Sequence, residues 1–357
     1  MLKRSIVALA AVSMLAAGPI HASDGNTDDA EVQTFATLPD GVRYPEGIAA
    51  NPATGNIYVG TFDARTTGAN NKLLRFGADG NLIAMKDFGG QPLLGLGFAN
   101  NQVYILNFGA SKVQRIAANF NAASLVEDVA SIPTLGPPGP RPVPNPDGSS
   151  DVITFGANFP APNALVLDHD GNMYVSDSFQ GVIWFVAHAT TTTCVAPCPA
   201  AKFTQDPLLA TAGFPPFGAN GVAFNADESV MYIANTGDNR VLAMDMGTKA
   251  ITVFAESVHG ADGLLFDGGT LWVNANQGDE LVALNNRGRL IARVGSFDGI
   301  RDNGSPRGLL FPASTVILGS WMYVTNLALP LTPAVGDEPE EDVTRWNVAR
   351  VRNPLRH

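Results

Sequence analysis

The stretch Ala261-Asp262-Gly263-Leu264-Leu265-Phe266-Asp267, followed by Leu271-Trp272-Val273, decides the fold. A short motif opens an apolar strand, a turn follows, and a second strand carries an aromatic residue. The same order recurs along the chain. It is found at Ala219-Asn220-Gly221 with Met231-Tyr232-Ile233, and at Pro162-Asn163-Ala164 with Met173-Tyr174-Val175. It is found again at Leu94-Gly95-Leu96 with Val103-Tyr104-Ile105, and at Pro45-Glu46-Gly47 with Ile57-Tyr58-Val59. A sixth copy reads as Pro306-Arg307-Gly308 with Met322-Tyr323-Val324. Measured at Gly47, Gly95, Ala164, Gly221, Gly263 and Gly308, the steps are 48, 69, 57, 42 and 45 residues. The shorter steps match a four-stranded propeller blade of about 40–50 residues.

Working outward, Lys72–Phe76, Lys112–Ile116, Val182–Val186, Arg240–Met244 and Glu280–Leu284 read as third strands. Asn81–Met85, Ala250–Phe254 and Arg289–Val294 read as fourth strands, with Gly- and Asp-rich turns between them. The sixth copy has a third strand near Trp346–Val351 and then runs out. Val32–Leu38 can supply its outer strand. The reading is an all-β, six-bladed β-propeller of four-stranded blades, closed by an N-terminal strand that completes the last blade. The propeller spans 32–357, with insertions at 131–160, 189–210 and 327–344. The Pro- and Gly-rich 131–160 segment lies where inner strands begin, and reads either as a lid or as a surface excursion. The acidic run in 327–344, Asp337-Glu338 and Glu340–Asp342, reads as a solvated loop.

Composition agrees. At 45% hydrophobic residues the 357-residue chain is not wholly disordered, and 15% charged residues with 37 Gly and 25 Pro favour short strands and turns over long surface helices. The net charge of −11 argues against binding a nucleic-acid backbone. Lys3 and Arg4, the apolar stretch Ser5–Ala17 and Ile20-His21-Ala22 have the layout of a secretory signal peptide over residues 1–22. Residues 23–31 form a flexible linker. The apolar run is shorter than the roughly 20 residues of a membrane span, so no span is expected after cleavage, and the location is periplasmic or secreted. In an exported chain Cys194 and Cys198 favour a local disulfide over a metal site.

The repeat places one residue of each blade at the mouth of the central channel: Glu46, Leu94, Asn163, Asn220, Asp262 and Arg307. Two carboxylates and two amides offer convergent oxygens, the ligands of a hard divalent cation such as calcium. The absence of Cys and His from this set argues against zinc or copper. A second polar series, Asn107, Asp177, Asn235, Asn276 and Asn326, reads equally as supports for that site or as ordinary strand ends. His259, three residues before Asp262, is a candidate proton shuttle or a solvated loop residue. No Gly-x-Ser-x-Gly elbow, P-loop or dinucleotide fingerprint is present.

The Glu46, Asn220 and Asp262 motifs resemble those of the gluconolactonase/regucalcin family of six-bladed propellers, over most of the mature chain. That resemblance implies a divalent cation, usually calcium, held by Glu46, Asn163, Asn220 and Asp262, with Asp262 also the general base. It implies a small-molecule lactone or ester substrate. Two departures stand out. Ala161 occupies the place of an arginine that contacts substrate in the sugar-lactonase branch, and Leu94 makes one side of the mouth apolar. Both point away from a polar sugar lactone, towards a more apolar ester or lactone, with Arg307 either a replacement contact or a surface residue. The alternative is a propeller that binds a ligand or protein without turnover; a strictosidine-synthase-like activity has no residue of its own to support it.

Overall fold

Every inner strand begins with the same irregularity. Its first residue pairs with the end of the second strand, and pairing resumes three residues later against a partner only two residues back. This happens at Pro45/Ile48, Leu93/Leu96, Pro162/Leu165, Ala219/Val222, Ala261/Leu264 and Pro312/Thr315. The extra residue is a β-bulge, which re-aims the side chains it carries. In a computed structural model of the chain, describing residues 31–191, 198–332 and 336–356, six such sheets form a six-bladed β-propeller. Among the described residues there is no α-helix, and no helix is long and apolar enough to cross a membrane.

From the axis outward, blade 1 is Pro45–Ala50, Ile57–Thr61, Asn71–Phe76 and Leu82–Gly89. Blade 2 is Leu93–Ala99, Gln102–Asn107, Lys112–Ala117 and Glu127–Ser131; blade 3 is Pro162–Leu167, Met173–Asp177, Val182–Val186 and Ala201–Gln205. Blade 4 is Ala219–Phe224, Val230–Asn235, Arg240–Asp245 and Ile251–Glu256; blade 5 is Ala261–Asp267, Thr270–Ala275, Glu280–Leu284 and Leu290–Val294. Blade 6 is Pro312–Leu318, Trp321–Asn326, Asn347–Arg352 and, from the other end of the chain, Gln33–Thr37.

The aromatic of each second strand is the wedge between blades. Tyr58 is fully buried, stacks on Phe98 of blade 2 at 6.0 Å, and donates its hydroxyl to the Ala118 carbonyl. Tyr174 meets Phe224 of blade 4 edge-on at 5.3 Å, and Tyr232 stacks on Phe266 of blade 5 at 5.9 Å. Trp272 is buried among Leu309, Met322 and Val324 of the blade 6 side. Such wedges bury both faces of sheets that would be marginal alone.

The N-terminal strand closes the ring. Gln33–Thr37 runs antiparallel to Asn347–Arg352, pairing Gln33 with Arg350 and Thr37 with Asn347. Phe35 packs edge-on against Tyr323 of blade 6 at 4.8 Å and Phe76 of blade 1 at 6.5 Å. The Thr325 hydroxyl adds a bond to the Glu46 carbonyl at 2.7 Å, joining blade 6 to blade 1 at the axis.

The sixth inner strand is not where the sequence motif placed it. Pro306–Gly308 pairs with Phe297–Ile300 in a separate two-stranded ribbon, and the bulged inner strand is Pro312–Leu318. The insertions are also more structured than their composition suggests. Glu127–Ser131 and Ala201–Gln205 are the outer strands of blades 2 and 3, so the 189–210 stretch contains a blade strand. Residues 131–160 carry the ribbon Arg141–Pro144/Ser150–Ile153, and the buried Gln180 amide pins the base of the segment through Leu135 N, Gly136 N and Pro133 O. Cys198 is disulfide-bonded, and Cys198–Pro199 pairs with the outer edge of blade 2. Cys194, like the predicted leader over 1–22, lies outside the described residues.

Candidate functional site

The bulge residues of the six inner strands are, in order, Glu46, Leu94, Asn163, Asn220, Asp262 and Ala313. The residue after each ring residue is small because adjacent inner strands nearly touch. A Cβ at Gly47 would sit 2.2 Å from the Leu94 carbonyl oxygen, and one at Gly221 would sit 2.2 Å from that of Asp262. Glycine there lets the ring close tightly enough for side chains from different blades to meet. Glu46, Asn163, Asn220 and Asp262 are all buried, and they line one cavity together with Leu94.

Polar neighbours one residue beyond the second strands fix how these side chains point. The Ser178 hydroxyl donates to the Ala219 carbonyl at 2.7 Å and accepts from Asn163 Nδ2 at 2.9 Å. Thr236 repeats the device in the next blade, donating to the Ala261 carbonyl at 2.7 Å and accepting from Asn220 Nδ2 at 2.9 Å. A hydroxyl has one proton, and here the neighbouring carbonyl takes it, so the hydroxyl oxygen can only accept from the amide NH2. In blade 5 the ring residue is a carboxylate and needs a donor instead. Asn276 supplies it, Nδ2 to Asp262 Oδ2 at 2.9 Å.

Four buried oxygens of this lining are then left without a hydrogen-bond partner: Glu46 Oε2, Asn163 Oδ1, Asp262 Oδ1 and Asn276 Oδ1; the Asn220 oxygen is not one of them. Burial pushes the Glu46 carboxyl well above the usual carboxylate range, and the Asp262 charge adds to the rise. Burial also raises Asp262 from its ordinary 3.8 to about 7, against hydrogen bonds from Asn276 and Asn220 that act to lower it. Unpartnered buried oxygens of two carboxylates and two amides, converging on one space, fit a hard divalent cation: it would satisfy the lone pairs and offset both negative charges. Among the described residues no three His, Cys, Asp or Glu side chains cluster, so a site here depends on its amides.

Above this floor the cavity is walled by Phe62, Pro215, Phe217, Phe311, Leu327, Leu329 and Leu331. Phe62 and Phe217 belong to a run of ring contacts that continues through Phe108 and Phe179 to Phe159, at centroid separations of 4.9–6.4 Å.

Several residues singled out in the sequence lie elsewhere. Arg307 is exposed on the side ribbon, donating to the Asp298 carbonyl at 3.1 Å, and Ala313 holds its expected ring position. Ala161 is buried, with its amide bound to Asp177, and is not part of the cavity wall. His259 is exposed and also outside the wall. Of the second polar series only Asn276 reaches the site. Asp177 accepts bonds from Ala161 N, Gln180 and Trp184 Nε1, while Asn107, Asn235 and Asn326 bond backbone at strand ends. Sequence reasoning passed over Ser178, Thr236 and the strap Leu327–Leu331. Their signal was positional: the residue after each second strand is Phe62, Phe108, Ser178, Thr236, Asn276 or Leu327, polar only in the blades whose ring residues are Asn163, Asn220 and Asp262.

No family model and no curated protein matches the chain. Solved structures do. Regucalcin from Agrobacterium tumefaciens, described as a calcium-binding protein, aligns at 14% identity over 90% of this chain and 94% of its own, TM-score 0.58. A gluconolactonase from Xanthomonas campestris aligns at 14% identity over 91% of this chain and 90% of its own, TM-score 0.55. Virginiamycin B lyase from Staphylococcus aureus aligns at 11% identity over 90% of this chain and 99% of its own, TM-score 0.53. The chain thus shares its fold with the regucalcin and gluconolactonase structures that its motifs resemble, and equally with a lyase.

Proposed function

We propose that this chain is an exported, cation-dependent hydrolase of lactones or related esters, with Glu46, Asn163, Asn220 and Asp262 as the cation ligands and calcium as the first candidate ion. The observation that carries the reading is the set of buried, unpartnered oxygens of Glu46, Asn163 and Asp262 under an apolar-walled cavity, which Asn220 also lines. Export is supported by the basic start and apolar stretch of residues 3–17. A cation bound there would supply Lewis acidity to a carbonyl oxygen and would lower the pKa of a water. The protein's own part is orientation and proton transfer. Ser178 and Thr236 hold the two amides, so the neutral ligands need not reorganise as charge develops. Asn276 holds one oxygen of Asp262, leaving Oδ1 to face the cavity, where one of its lone pairs would face the cation and the other would take the proton of the attacking water. The apolar walls exclude bulk water from the reacting carbonyl.

Asp262→Asn keeps the shape and the Asn276 contact but removes the proton acceptor and one anionic cation ligand. Turnover on a lactone panel should fall at least a hundredfold with the circular dichroism spectrum unchanged; full activity in this variant removes Asp262 from the mechanism. One observation favours the second reading, a binding propeller without turnover: among the described residues no Lys, Arg or His lines the cavity to protonate a leaving group. Inactivity of the calcium-loaded wild-type protein across that panel selects it.

A further inference from the structure

Polar and apolar groups divide the cavity sharply. Its charged side chains are Glu46 and Asp262, both at the floor, and its amides and hydroxyl sit beside them. The wall offers carbon: Phe62, Phe217, Phe311, Leu327, Leu329 and Leu331. The three leucines sit at alternate positions of the segment that joins the second and third strands of blade 6. This strap is fixed at both ends. Trp346 Nε1 donates to the Leu327 carbonyl at 3.0 Å, and the Glu338 carboxylate accepts from Leu331 N at 2.6 Å and Thr332 N at 3.0 Å. Leu329 and Leu331 are half-buried, packed on the core cluster that holds Phe62, Leu94 and Phe311. They therefore present a fixed apolar surface to whatever stands above the floor.

A substrate ring bearing several hydroxyls would lose their hydration against this wall and find no partner there. A hydrocarbon chain would be removed from water at no such cost, while its carbonyl lies over the oxygen cluster. Virtually all specificity beyond the reacting group must then come from the wall. We propose that the wall is a chain-binding pocket, and that Leu329 and Leu331 set a preference for lactones or esters bearing an unbranched apolar chain over polyhydroxylated ones. The proposal rests on the hydrolase reading for its chemistry, but it can be tested without turnover.

The test uses the calcium-loaded full chain and two series. The first is γ-lactones with alkyl substituents from methyl to heptyl, together with gluconolactone, followed by kcat/KM. The second is the matching 3-alkylcyclopentanones, which carry the chain at the position of the lactone's γ-carbon and cannot be hydrolysed, followed by calorimetric Kd. Binding and kcat/KM should improve about fourfold per added methylene until the wall is covered, and gluconolactone should be a poor substrate. The paired variant L329S/L331S should flatten both dependences and leave calcium affinity unchanged. Should that variant unfold, the wild-type series decides alone. Ketone binding that tightens with chain length, with no lactone hydrolysed, upholds the pocket and sinks the hydrolase reading. Hydrolysis that is indifferent to chain length, or that favours gluconolactone, overturns the pocket alone.

Discussion

A buried carboxylate that is held near neutrality in pKa makes the metal-free protein lose stability as pH rises. Asp262 goes from 3.8 in an exposed setting to about 7 in the fold, because burial penalises its charge. Between those values the folded state keeps the proton and the unfolded state has lost it. The folded state therefore binds more protons, and stability falls with pH by about 1.4 kcal/mol per unit. The contribution is fully present below 3.8 and gone above 7, about 4 kcal/mol in all. Glu46 is raised for the same reason and works in the same direction. Asp63, Asp87 and Asp128 are lowered by their hydrogen bonds and ion pairs, so their effect falls below pH 3.8 and does not overlap. Glu340 is raised by burial to about 7 and does overlap, so the comparison needs Asp262→Asn as a reference. In urea titrations with EDTA, wild type and variant should match near pH 4, and the variant should be more stable by about 4 kcal/mol at pH 8. Calcium should reverse the order at pH 8, since a cation bound to the charged form stabilises wild type. Parallel pH profiles for the two proteins in EDTA would refute the burial argument.

Thr236→Val keeps the shape but deletes two buried hydrogen bonds. We expect a loss of about 2 kcal/mol in urea unfolding and a 10- to 100-fold loss of calcium affinity by calorimetry; unchanged affinity would show that the hydroxyl does not orient Asn220. Gly221→Ala places a Cβ 2.2 Å from the Asp262 carbonyl, which should cost about 3 kcal/mol and weaken calcium binding too; a neutral result in thermal melts contradicts the close approach of the inner strands. Phe35→Ala strips the ring between Tyr323 and Phe76, and should destabilise by about 3 kcal/mol; a change under 1 kcal/mol means that the N-terminal strand does not hold the ring shut. Arg307→Ala should leave lactone turnover at the wild-type level, since the side chain lies on the outer ribbon; a large drop in kcat/KM returns it to the site.

Much of this geometry is legible in the chain because propeller blades repeat. The aromatics Tyr58, Tyr104, Tyr174, Tyr232, Trp272 and Tyr323 mark the second strands, and glycines such as Gly47 and Gly221 mark where inner strands crowd together. Pro306-Arg307-Gly308 misled for a physical reason. It carries the Pro-x-Gly form of the first motif, but Gly308 has a positive φ of 81° and serves the side ribbon. The true sixth motif, Pro312-Ala313-Ser314, has an alanine at the ring and a serine where glycine was sought. The outer strands Glu127–Ser131 and Ala201–Gln205 have no apolar alternation, because they bury little: Glu127, Ala201 and Lys202 are exposed, and Phe203, Thr204 and Gln205 are only half-buried. Ser178 and Thr236 escaped because a lone hydroxyl after a strand carries no signal until the amide opposite it is known. The strap leucines lie in a segment dominated by an acidic run that reads as a solvated loop, yet Glu338 in that run anchors the strap.

The central claim is that oxygens from four blades grip one divalent cation on the axis. Crystals grown in calcium chloride, with anomalous differences recorded, test it most directly. The account predicts one strong peak per chain, at 2.3–2.6 Å from oxygens of Glu46, Asn163, Asn220 and Asp262. A cavity floor with no peak at saturating calcium, or with the only peak bound elsewhere, contradicts it.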